Sequence, residues 1–217
     1  MRASLLILSC LLPLSSLPAA ADSRATVREV EVREALDGAR CLRIELPVGE
    51  VHLRGGAGSA VRGDLALRCE RGKAHCFEQA RALRIEARRA GECLHLELAG
   101  WGSGDRDDLT VEGQLDLPAG LDLEVDLQVG SLQVNGMRGH LDAHVAVGEL
   151  VLELPWESTG SVELTAGIGE SRLRLPTGAP DSRRTGWLGS DTRWEGGPGA
   201  SRIQANVGVG EIDARLD

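Results

Sequence analysis

Five segments of this 217-residue chain place a short apolar alternation on either side of a glycine, and that recurrence limits the fold more than any other feature. The segments are ELPVGEVHLRG around Gly49, DLQVGSLQVNG around Gly130, HVAVGELVLELP around Gly148, TAGIGESRLRLP around Gly169 and ANVGVGEIDARL around Gly210. The last four glycines are 18, 21 and 41 residues apart, the final gap being close to two units of ~20. Aligned on the glycine, apolar residues recur seven, five, three and one positions before it: Leu123, Val125, Leu127 and Val129 in one copy, Ile203, Ala205, Val207 and Val209 in another. The set resumes four positions after it with Leu53, Val134, Leu152, Leu173 and Ala214. A period of two is the mark of a strand buried on one face. One such strand cannot shield its own face, so the copies must stack. The expectation is an all-β fold of stacked, glycine-hinged strand repeats, a β-solenoid-like stack, with a β-sandwich as the alternative.

Residues 1–21 read as a secretory leader: a basic start at Met1-Arg2, an apolar run from Leu5 to Leu17, and small residues Ala19 to Ala21 before Asp22. Cleavage after Ala21 would leave a single β-repeat domain over residues 22–217 in the periplasm or secreted. A lipoprotein reading through Cys10 is the weaker alternative, because the apolar run before it is short. No later run approaches the ~18 apolar residues of a membrane span. The formal charge is −9, or −10 once Arg2 is removed, which argues against nucleic acid and anionic membranes as partners. Aromatics are scarce, namely Phe77, Trp101, Trp156, Trp187 and Trp194 with no tyrosine, so the core must be aliphatic and stacking platforms for sugars or bases are few.

The other four cysteines, Cys41, Cys69, Cys76 and Cys93, all lie in the front part, residues 22–117. An even number in an exported chain reads as two disulfides with three pairings open. Cys69–Cys76 with Cys41–Cys93 is favoured, since the first closes a local loop and the second ties neighbouring strands. That front part also predicts an edge strand at Ala25–Arg33, one short helix over 76–83, and a hairpin of Leu83–Arg88 with Cys93–Leu98. The regular repeats occupy 118–217. Their pattern is lost over Asp181–Ala200, which reads as an inserted loop or hairpin.

The leader, the helix-and-hairpin front part and the core LPAGLDLEVDLQVGSLQVNGMRGHLDAHVAVGELVLEL together resemble the bacterial "putative adhesin" family of toast-rack-like β-repeat envelope proteins. The resemblance covers roughly residues 40–217. It implies a stacked β fold outside the cytoplasm and no enzyme activity.

In a stack, outward residues form ladders; six before the glycine these are Glu124, Asp142, Glu163 and Gln204, and four before it Asp126, His144, Thr165 and Asn206. Such a ladder is a solvated face, a calcium site, or the acid–base set of a carbohydrate-active hydrolase or lyase. His140, Asp142 and His144 share one strand face and could ligate zinc or copper, although alternate residues stand ~6.6–7 Å apart. The strings GIGESR and VGVGEI suggest nucleotide loops only superficially, because no helix follows to receive a phosphate; no cofactor is expected. Arg183, Arg184, Trp187, Arg193 and Trp194 form a candidate partner-binding patch, or else the tryptophans cap the core. The reading is therefore an exported, non-catalytic structural or adhesin-like interaction module of the cell envelope. An acid-ladder carbohydrate-active enzyme and a periplasmic metal-binding protein are the alternatives. Its partner would be an unidentified protein or envelope component, and self-association through the exposed end of the stack is also open.

Overall fold

A computed structural model describes residues 23–100, 108–178, 182–185 (backbone only) and 188–217. The leader, Trp101 and Trp187, and the side chains of Arg183 and Arg184, lie outside the described residues. In chain order the elements are β1 (Arg24–Ala35), β2 (Cys41–Gly56), β3 (Ala60–Glu70), α1 (Ala74–Ala82), β4 (Arg84–Ala90), β5 (Cys93–Ala99) and β6 (Leu109–Pro118). There follow β7 (Asp122–Asn135), β8 (Leu141–Leu154), a 3-10 turn at Trp156–Ser158, β9 (Thr159–Arg174), β10 (Ser182–Thr185), β11 (Gly189–Glu195) and β12 (Ser201–Leu216). Among the described residues all twelve strands join one open sheet.

Each glycine-centred copy is one strand of 14–16 residues that keeps its pairing through the glycine, rather than two strands around a break. β2, β7, β8, β12 and β9 lie side by side in that order, all parallel and in register, glycine against glycine. Parallel neighbours normally need a crossover of a dozen residues or more. Here β7 reaches β8 through residues 136–140 alone. A straight 14-residue strand would span ~45 Å, beyond the reach of five residues. The strand must therefore double back at its glycine, bringing its end over its beginning.

The line of glycines is thus a fold line that divides the sheet into two leaves. The residues before the glycines pair with β5 at one end and β11 at the other, whereas the residues after them pair with β6. Between the leaves runs one aliphatic core, including Leu123, Val125 and Leu127 from the first arm of β7 and Leu132 and Val134 from its second. The cross-section is that of a sandwich, yet both layers belong to one sheet. At Gly130, Gly148, Gly169 and Gly210 φ lies between +135° and +143°, and an added Cβ would stand 1.7–1.9 Å from the neighbouring glycine's carbonyl oxygen. Only glycine meets both demands.

Two expectations are corrected. The residue just before the hinge points outward: Val129, Val147, Ile168 and Val209 are 44–48% exposed. The buried positions change parity across the bend, from 123, 125 and 127 to 132 and 134 in β7, which leaves two consecutive residues outside the corner. Secondly, the irregular segment is the hairpin expected, but the rungs do not stack in chain order. β10 and β11 form an antiparallel hairpin on the outer side of β9, and β12 inserts between β8 and β9.

The ends of the stack are closed differently. At the front, Cys41 is bonded to Cys93 across β2 and β5, and Cys69 to Cys76 between β3 and α1. The helix buries Cys76 and Ala80 against the core, followed by the buried Leu83, and Arg28 of β1 donates to the Leu83 carbonyl at 2.7 Å. At the far end Ser171, which occupies the place of Leu132, Leu150 and Ile212 in the other rungs, bonds the hydroxyls of Ser190 (3.0 Å) and Thr192 (3.0 Å) across the interior. Trp194 packs on Trp156 with ring centroids 5.0 Å apart.

Candidate interaction surface

The outward ladder six residues before the hinge runs in space as Arg43, Glu124, Asp142, Gln204, Glu163, Arg193, because β12 sits between β8 and β9. Chain order would have set Asp142 beside Glu163; the fold sets Gln204 between them. Arg43 pairs Glu124 at 3.1 Å, and Arg193 pairs Glu163. The Arg193 pKa is raised above its ordinary value, first by its hydrogen bond to Glu163 and then by the charge of that carboxylate. The like-charge strain of a pure acid ladder is thereby relieved, and the row behaves as a paired, solvated face of modest energetic weight. In the next row Asp126 accepts from Gln128 Nε2 at 2.8 Å, between Glu45 on one side and His144 on the other.

His140 and Asp142 line a shallow cavity of about 440 Å³ together with Asp122, Glu124, Arg202 and Gln204, beside the Cys41–Cys93 bond. His140 Nδ1 accepts from the Arg202 backbone N–H at 2.9 Å, and the His140 N–H donates to Asp122 at 2.8 Å. That imidazole pins the β7–β8 turn to the start of β12, so one of its two possible ligating nitrogens is already engaged. His144 lies along the same strand face, opposite Asp126 and Asn206. Among the described residues no three His, Cys, Asp or Glu side chains converge as a metal site would require.

Of the candidate partner-binding residues, Arg193 is exposed and engaged with Glu163, whereas Trp194 is partly buried against the core and Trp156. Trp194 thus serves to close the stack.

The surface that sequence reasoning missed lies on the fold line. Val129, Val147, Val209 and Ile168 are successive partners across β7, β8, β12 and β9. Half-buried Val48 of β2 extends the row at one end. At the other, Leu188, 67% exposed, is held beside it because its carbonyl accepts from the Gly169 N–H at 2.7 Å. These five, Val129, Val147, Ile168, Leu188 and Val209, are all the exposed large apolar side chains among the described residues. Exposed aliphatic residues scattered singly need no explanation, but five in one line form a patch.

One flank of the line is acidic: Glu50, Ser131, Glu149, Glu211 and Glu170 follow the hinge glycines. Arg172 reaches Glu170 and Glu211, the latter at 3.5 Å. The other flank is low over β8, β12 and β9, where it is formed by Ala146, Gly208 and Gly167, and higher over β7 and β2, where Gln128 and Pro47 stand. A Cβ at Gly208 would lie 2.5 Å from the Ala146 oxygen, and one at Gly167 2.8 Å from the Gly208 oxygen. Stacking therefore keeps that stretch free of bulk. The available sequence signal was the odd step from the apolar position before each glycine to the one four after it, which no unbroken alternation can accommodate.

No family model matches the chain, and no curated protein matches it. Among solved structures, one from Clostridium sporogenes ATCC 15579, described as a "putative cell adhesion protein", superposes with a TM-score of 0.50 at 15% identity, covering 88% of this chain and 99% of the other. A "putative adhesin" from Parabacteroides merdae (TM-score 0.32, 9% identity, 71% and 65% covered) and another from Bacteroides fragilis (0.26, 12%, 89% and 98%) are more distant and add no weight. The resemblance first drawn from the hinge glycines therefore holds as a likeness of fold to the Clostridium structure.

Proposed function

We propose that the chain is an exported, non-catalytic β-repeat module of the bacterial cell envelope that works by holding a partner, in the manner of an adhesin. The observation that carries this reading is the line of exposed aliphatic side chains on the fold line. Three further features support it. The leader-like start and two disulfides suit an oxidising compartment. No helix among the described residues is long and apolar enough to cross a membrane. The carboxylates that would serve a hydrolase are spread along outer ladders, with Glu124 and Glu163 committed to arginines. The test is binding of labelled protein, residues 22–217, to purified envelope fractions of the producing organism. Saturable binding that Val147→Asp abolishes is expected. Binding indifferent to that change, or turnover of an envelope glycan, would overturn the reading.

A further inference from the structure

We infer that the fold line is the docking surface for a cationic amphipathic helix of a partner protein, an assignment that rests on the interaction reading above. The apolar row repeats at the strand spacing of ~4.8 Å, close to the ~5.4 Å rise of one helical turn. From Val48 to Leu188 there are five such steps, ~24 Å, the length of a helix of ~16 residues. A helix lying along the row would seat the side chains of its i, i+3/i+4, i+7 stripe between successive Val and Ile side chains. Over β8, β12 and β9, Gly167, Gly208 and Ala146 leave one side low enough for its backbone to approach.

Charge selects among the occupants. The acidic flank offers Glu50 and Glu149, which pair with no cation among the described residues, and Glu211, 61% exposed and only loosely held by Arg172. Lysines or arginines on one side of the docked helix would meet these carboxylates. A second copy of residues 22–217 brings a net charge of −10 against the same charge, and an anionic lipid surface is repelled for the same reason. A basic helix is attracted at Glu50, Glu149 and Glu211.

The probe is a synthetic 16-residue helix with leucine at i, i+4, i+7 and i+11 and lysines along one flank of that stripe. Two controls accompany it, one with glutamate for lysine and one with the leucine order scrambled. Fluorescence anisotropy with protein comprising residues 22–217 should show saturable binding of the first peptide alone, weakened by added salt. Val147→Ser with Ile168→Ser should weaken it by at least about tenfold, and Glu149→Gln with Glu211→Gln by about three- to tenfold. Unchanged melting temperatures would confirm that both variants fold. Equal binding of the scrambled peptide, or binding unaffected by the serine substitutions, would overturn the proposal. So would a concentration-dependent dimer that the serine variant loses, which would make a second copy the occupant, or ridge-dependent binding to phosphatidylglycerol vesicles. If the peptide fails while envelope fractions still bind through Val147, the helix falls and the interaction reading stands; if both fail, both fall.

Discussion

The front and far ends of the stack face one physical problem and meet it with different chemistry. Each must close an aliphatic core after its last parallel strand, where one rung has no neighbour to cover it. The front does so covalently: Cys41–Cys93 locks β5 to β2 and Cys69–Cys76 fastens α1 to β3. The far end has no covalent link among the described residues. It ends its core in the hydroxyl group of Ser171, Ser190 and Thr192 and in the Trp156–Trp194 pair. The difference teaches that the repeat itself is indifferent to how it ends. What it requires is that every buried polar group find a partner and every apolar face a cover.

The largest effect should come from the hinges. Gly169→Ala at the far end introduces a Cβ 1.7 Å from the Gly210 oxygen at φ +135°, and should cost more than about 4 kcal/mol, leaving little folded protein. Gly49→Ala at the front, where φ is not positive and the Val111 oxygen is 2.7 Å away, should cost about 1–3 kcal/mol. Chemical denaturation of the two variants gives the comparison. Equal costs would show that the positive φ and closer approach at Gly169 add nothing to the demand for glycine that Gly49 does not already make.

Next come the disulfides. Replacing Cys41 and Cys93 by alanine opens a loop of 52 residues and should lower stability by about 4 kcal/mol; for Cys69 and Cys76, separated by 7, the loss should be about 2 kcal/mol. Hydrogen exchange under reducing conditions should then show β4, β5 and α1 opening while β9, β11 and β12 stay protected. Uniform loss of protection would mean that the ends are not independent.

At the far end Ser171→Ala removes the hydroxyl bonds to Ser190 and Thr192 but keeps the bonds those two hydroxyls make to the backbone of residue 171, and should cost about 0.5–1.5 kcal/mol with the front unaffected. Smallest of all, Val147→Ser and Ile168→Ser on the exposed row should shift stability by no more than about 0.5 kcal/mol in thermal unfolding. A large loss there would place those side chains inside.

Much of this architecture was legible in the residues. The period of two and the recurrent glycines mark the strands and their bends, and the run from Cys76 to Leu83, free of glycine and proline, marks the helix, observed over Ala74–Ala82. The hairpin of β4 and β5 follows from alternation on either side of Gly91. Two things were not legible, for physical reasons. Parity across a glycine of positive φ is not fixed by alternation, so Val129 and its counterparts were placed inside. Nor is neighbour order fixed by chain order: β12 matches β8 and β9 equally well in register, and only the three-dimensional path of the β10–β11 hairpin sends it between them. The misplacement of the outer ladder follows from that second fact, and the missed interaction surface from the first.

The most direct test of the account is thiol labelling of single cysteines introduced at Val147 and at Val145, two residues earlier on the same strand, with and without saturating envelope fraction. The native cysteines of the described chain are all bonded, so only the introduced thiol reacts. The account predicts that Val147→Cys labels at the rate of a free thiol and slows when the fraction is added, while Val145→Cys, fully buried, stays unlabelled throughout. Equal protection at the two positions would contradict the folded-leaf geometry, and labelling at 147 that ignores the envelope fraction would contradict the role given to the exposed row.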